Sequence, residues 1–189
     1  MQTHRKHTLV IHPADPTTTF LEACYAQVKD ATIVRGPVSR EELTSLFERP
    51  DQRIMLLGHG LPHGLLNVRG FIPGRWGIAV GDDYQDRLAG NRENIMIFCY
   101  AHTFGTRIGI SGFRSDMFIS EVAEASHMGI YQVSQEEVDF SNRLFAGLVG
   151  EKINECAREI HRHVTSHYGK AAGSSQVIRY NHKRLYYAE

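Results

Sequence analysis

Cysteine is scarce in this 189-residue chain: Cys24, Cys99 and Cys156 make an odd number with no C-x-x-C pair. That argues against a disulfide framework or a cysteine-rich zinc site and predicts at least one free thiol. Net charge is lacking too. Twenty-one basic residues balance twenty-one acidic ones, so no global field draws the chain to nucleic acid or to an anionic membrane. No segment approaches the ~18 continuous apolar residues of a membrane span, and Met1–His7 has basic residues but no apolar signal core. The expectation is a soluble, cytoplasmic protein that binds neither nucleic acid nor membrane. Internal repeats and low-complexity tracts are also missing, and the composition, 42% hydrophobic, is that of one globular domain.

What is present is an alternation of short apolar runs and amphipathic segments. Thr8–His12, Ala31–Val34, Arg53–Leu57, Asn94–Phe98 and Gly129–Val133 read as strands. Thr19 with Glu22, Ser39 with Glu42 and Ser134 with Glu137 have capping-box spacing, predicting helices through about Val28, through Phe47, and from Ser134 onward. Ser115 is read as opening a further helix, residues 116–126, and Asp82–Leu88 as a short one, whereas 61–81 is Gly- and Pro-rich and reads as turns or a small hairpin. Val138, Phe145, Leu148, Val149, Ile153, Cys156, Ile160 and Val164 follow one helical face, predicting a single long helix. Residues 1–170 form the expected α/β domain; 171–189 is a tail, read as an extra edge strand or a partner-binding arm. Crossovers longer than ten residues predict a mainly parallel sheet with helices on both faces; if its strand order is 2-1-3-4-5, strand three lies between strands one and four and His59 sits between His12 and Cys99.

In such sheets ligands bind beyond the carboxyl ends of the strands. Two apolar runs forty residues apart end there on chemically capable residues: Arg53-Ile-Met-Leu-Leu-Gly-His59-Gly60 and Asn94-Ile-Met-Ile-Phe-Cys99-Tyr-Ala. Neighbouring parallel strands bring His59 and Cys99 to one edge, where an imidazole can take the thiol proton and make a nucleophile. Gly60, without a side chain, suits a backbone N–H that approaches a developing oxyanion, with the Cys99 N–H as second donor.

An apolar block ending in His-Gly, followed some forty residues later by one ending in Cys, resembles the caspase-like cysteine peptidases: caspases, metacaspases, gingipains, legumains, separases and bacterial CHAT domains. The stretch Phe118-Ile-Ser-Glu-Val-Ala-Glu-Ala-Ser-His-Met-Gly-Ile-Tyr-Gln-Val-Ser-Gln-Glu-Glu-Val is similar to the part following the cysteine in CHAT-like members. Together these cover roughly Leu9 to Ile153 in element order. The resemblance implies a three-layer caspase-like, flavodoxin-like sandwich and an endopeptidase acting on peptides or proteins through a thioester. His59 would be base, Cys99 nucleophile, with no cofactor and no metal. It also implies a substrate pocket lined by His12, Asp15, Ser111, Arg114 and Asp116. Phe98 and Tyr100 depart from the small residues usual around that cysteine.

Two other readings compete. Phe98 and Tyr100 favour a catalytically silent caspase-like module that binds a partner or small ligand at the same edge, whereas the Gly-His-Gly turn favours the enzyme. Alternatively His12, His59, His63 and His102 converge with Asp15 or Asp82 in a metal-dependent hydrolase. No H-E-x-x-H spacing accompanies them.

Overall fold

The computed structural model describes residues 7–189, so the expectation about a leading signal segment falls largely outside the described residues. Thr8–Ile11 (β1), Ala31–Val34 (β2), Arg53–Leu57 (β3), Ile95–Ile97 (β7), Gly112–Ser115 (β8) and Leu185–Ala188 (β9) form one six-stranded sheet in the order β2-β1-β3-β7-β8-β9. The first five run parallel and β9 is antiparallel at the edge. A second, three-stranded sheet comprises Gly60–Leu61 (β4), Gly64–Leu66 (β5) and Ile78–Val80 (β6).

The central strands are apolar on both faces because both faces are covered. Val10, Met55, Leu57, Ile95, Ile97 and Phe113 pack under Gln135–Glu151 (α5), Ala157–Ala171 (α6) and a 3-10 helix, Pro16–Cys24. Leu9, Ile11, Ile54, Leu56, Met96 and Phe98 pack under Arg40–Phe47 (α1), Gln85–Ala89 (α2), Ala101–Arg107 (α3) and the small sheet. Each fully buried Leu, Ile or Met contributes about 1.5–3 kcal/mol, which makes these two clusters the main support of the fold. Val122–His127 (α4) and Gln176–His182 (α7) enclose a smaller cluster around Ile119, Val138 and Val177.

The structure departs from the sequence reading in four places. The first helix starts at Pro16 rather than Thr19. Asp15 is its cap, accepting the Thr17 N–H at 3.0 Å, with Pro16 pre-set for the first turn. The fifth parallel strand is Gly112–Ser115, a stretch with one large apolar side chain. Gly129–Val133 is no strand, because Gly129 (φ 73°) and Gln132 (φ 63°) interrupt any extended run.

Residues 116–121 are not helical either. The Asn181 side chain takes the Ile119 N–H at 2.8 Å and donates to its carbonyl at 2.9 Å, while Glu124 accepts the N–H groups of Ser120 and Glu121. The helix therefore begins only at Val122. Finally, the predicted single helix is two. Arg53 donates to the carbonyls of Ile153 and Glu155, and its partner Glu93 accepts the Ala157 N–H at 2.8 Å. Arg53 thus holds the carbonyls of the break and Glu93 caps the new helix. The apolar spacing continues across the break because α5 and α6 cover the same sheet face. The tail supplies α7 and the edge strand β9, paired with β8.

Candidate functional site

β3 and β7 are parallel neighbours with Leu57 opposite Ile97, and the Gly58 N–H donates to the Ile97 carbonyl at 3.1 Å. His59 and Cys99 lie two residues beyond that pair, at the carboxyl edge. Both line one small cavity of about 20 Å3, with Thr18, Phe20, Leu21, Phe118, Ser120 and Glu124 among its other walls. That volume suits a single water. A larger concavity of about 730 Å3 sits at the opposite, amino end of the strands among Glu48, Arg49, Gln52, Asn91 and Arg92, well away from either residue.

Gly58 adopts φ 131°, a conformation that favours glycine, and turns the chain from β3 into the β4–β5 hairpin. The Leu66 N–H bonds the His59 carbonyl at 2.9 Å. Alternation along an antiparallel pair then makes Gly60–Leu65 a non-hydrogen-bonded pair, so the Gly60 N–H faces away from β5. A Cβ at Gly60 would lie 2.8 Å from Phe98 Cγ and 2.9 Å from the Cys99 carbonyl. The bulky Phe98 is thus a buried core residue seated on Gly60. Tyr100 takes a left-handed conformation (φ 66°) that turns the chain into α3, leaving Cys99 half-buried at the tip.

The Cys99 thiol points at the Phe118 carbonyl, 3.9 Å away, and no hydrogen bond joins it to His59. Burial pushes the thiol up to about 11, with Glu124 and Asp116 adding in the same direction. His59 Nε2 is instead 2.7 Å from Thr17 Oγ1 and 3.5 Å from Asp15 Oδ1. Asp15 accepts the Thr17 hydroxyl at 2.6 Å and Arg69 Nε at 3.1 Å. The Thr17 hydroxyl, followed by its N–H, Arg69 and His59, holds the Asp15 carboxyl well below the usual carboxylate range against the opposing effect of burial.

The five residues expected to line a substrate pocket separate. His12 is fully buried, with Nδ1 3.0 Å from the Tyr25 hydroxyl and Nε2 3.2 Å from Thr18 Oγ1; burial and then Arg35 bring it down to about 4. It supports the 3-10 helix rather than lining a pocket. Asp15 stands behind His59. Ser111 precedes β8, its carbonyl bonded by Asn94 at 3.1 Å, which puts it at the amino end of the sheet. Arg114 is 3% exposed beneath α3 against Gly105, with Nε and Nη1 unpartnered among the described residues. Asp116 follows β8, and its Oδ1 is likewise buried without a partner.

The four histidines of the metal reading do not converge, and the described residues hold no group of three or more His, Cys, Asp or Glu arranged for a metal. His12 has both nitrogens engaged, and His102 stacks on Tyr186 with ring centroids 3.8 Å apart. Asp82 is bound by Arg107 at 2.6 Å. Sequence reading overlooked Thr17; its signal is Asp15-Pro16-Thr17, a cap and first turn directly after a strand.

No helix among the described residues is long and apolar enough to cross a membrane. No family model matches the chain, and no curated protein sequence matches it.

Proposed function

We propose that the chain is a caspase-like cysteine endopeptidase acting on peptides or proteins in the cytoplasm, with His59 as base and Cys99 as nucleophile. The observation that carries this reading is that both residues line one cavity at the carboxyl ends of adjacent parallel strands. The layered α/β arrangement, with strand order 2-1-3 on one side of the site, is in keeping with a caspase-like sandwich.

In this mechanism the Cys99 sulfur attacks the scissile carbonyl as its proton passes to the imidazole. The C–S bond forms, the carbonyl oxygen becomes an oxyanion facing the Gly60 and Cys99 N–H groups, and collapse expels the amine with the imidazole's proton. A water deprotonated by the imidazole then cleaves the thioester, releasing the acid and restoring the thiol. Substrate must first draw the thiol from the Phe118 carbonyl toward His59.

Acyloxymethyl-ketone peptides with basic, acidic or amide side chains test the reading, with adducts mapped by mass spectrometry. Cys99 is expected to be labelled, and labelling is expected to vanish in His59→Ala. Absence of Cys99 labelling by all three, or equal labelling of the variant, refutes the dyad. The small cavity and raised thiol favour a second reading, a silent module binding a ligand at this edge. Ligand binding that persists in Cys99→Ala without turnover would support that reading instead.

A further inference from the structure

Behind His59 lies a chain of polar contacts that the dyad alone does not require. We infer that Thr17 and Asp15 are positioning residues which hold the His59 imidazole with its proton on Nε2 and its lone pair on Nδ1; this rests on the reading of His59 as the base for Cys99.

The number of protons along these contacts decides the tautomer. Thr17 Oγ1 lies 2.6 Å from Asp15 Oδ1, too close for two acceptors. One group must donate. An ionised carboxylate only accepts, and Asp15 also receives the Thr17 N–H at 3.0 Å and Arg69 Nε at 3.1 Å, both of which favour the charged form. The single hydroxyl proton of Thr17 therefore points at Asp15. Its oxygen, 2.7 Å from His59 Nε2, is left to accept, so Nε2 carries the proton.

In the neutral ring Nδ1 is then the bare nitrogen, the only one able to receive a thiol proton. The carboxylate acts through the hydroxyl rather than by direct contact, since Nε2 is 3.5 Å from Oδ1. As the ring becomes imidazolium during attack, the same Thr17–Asp15 pair faces the new charge. Arg69, exposed on the 67–77 loop, ties the far carboxylate oxygen and completes the line from surface to imidazole.

Thr17 is the position to vary, because Asp15 also caps the 3-10 helix and its loss would disturb folding. The full chain, with 15N-labelled histidine, is compared as wild type, Thr17→Val and Thr17→Ser by long-range 1H–15N correlation spectra, the His59 signals being assigned with His59→Gln. Wild type and Thr17→Ser should show neutral His59 protonated at Nε2, with that proton slow enough in exchange to be seen. In Thr17→Val the proton signal should disappear into water exchange, and labelling of Cys99 by the acyloxymethyl ketones should slow about tenfold, the size of one neutral hydrogen bond, with Thr17→Ser restoring it.

A wild-type ring protonated on Nδ1, or an Nε2 proton unchanged in Thr17→Val, overturns the relay. The spectra need no substrate. A correct tautomer without labelling leaves the relay standing and removes the peptidase; labelling with the opposite tautomer does the reverse.

Discussion

In the free chain Cys99 should be a poor nucleophile. It lines a small cavity with Phe118, Phe20 and Ile97, its thiol donates toward the Phe118 carbonyl, and burial pushes the thiol from an ordinary 9.0 up to about 11. Two units mean about 100-fold less thiolate at pH 7.5. A more basic thiolate attacks harder, and a Brønsted slope near 0.4–0.5 returns roughly tenfold of that, leaving a net deficit of about tenfold before any loss of access. The assay is iodoacetamide alkylation of the full chain from pH 6.5 to 10.5, following the Cys24, Cys99 and Cys156 peptides by mass spectrometry. Cys156, exposed at the start of α6, should react first, and fully buried Cys24 last. The Cys99 rate should rise about tenfold per pH unit with no plateau near neutrality, and His59→Ala should change it little, since no hydrogen bond joins the two side chains at rest. A plateau below pH 7 that disappears in His59→Ala would show a thiolate–imidazolium pair in the free chain and refute this account of the resting site.

Two other predictions concern stability. His12 is fully buried with its pKa lowered from 6.5 to about 4, so between these values the unfolded chain binds a proton the native one refuses; its contribution is complete above pH 6.5 and is lost as pH falls toward 4. Urea unfolding at pH 7.0 and 4.5 should show about 2 kcal/mol of acid destabilisation in wild type that is missing from His12→Gln, and identical pH dependence in both would refute the assignment. Arg114 is buried with two nitrogens unpartnered among the described residues, and desolvation lowers its pKa. Arg114→Met should therefore raise stability by about 1–4 kcal/mol in the same assay at neutral pH, and a loss above 1 kcal/mol would mean the guanidinium has a partner.

The sequence made legible those parts of the fold whose cause is local. β2, β3 and α1 match the expected ranges because apolar runs and the Ser39 cap specify them within a few residues. Crossover length specifies that the strands run parallel, while the order that puts β3 beside β7, and with it His59 near Cys99, is not written in that length. What escaped depends on distant partners. Nothing local to Phe118–Glu121 announces that Asn181 will hold Ile119 extended, and nothing in Gly150–Cys156 announces Arg53 and Glu93 at the helix break. β8 is hidden because Arg114 and Ser115 are buried polar residues, so period and hydropathy carry no signal there. In the site, His12 and Ser111 are expected from the resemblance, by their places at the end of strand one and in the loop after the cysteine strand. Burial and strand direction removed them, while Thr17, an unremarkable threonine, was brought to the imidazole by the turn that Asp15 caps.

The seating of Phe98 on Gly60 bears on how this site varies over evolutionary time. A larger residue at position 60 would meet both the aromatic ring and the Cys99 backbone carbonyl, so a smaller residue at 98 is needed for that change but is not enough without a shift of the backbone at the cysteine. In any set of related chains, those that keep the aromatic at 98 should keep the glycine at 60, and a non-glycine at 60 should come only with a small residue at 98 and a displaced strand end at the cysteine. The residue preceding the cysteine is then a record of the hairpin it packs against, and its size by itself says nothing of whether the thiol turns over.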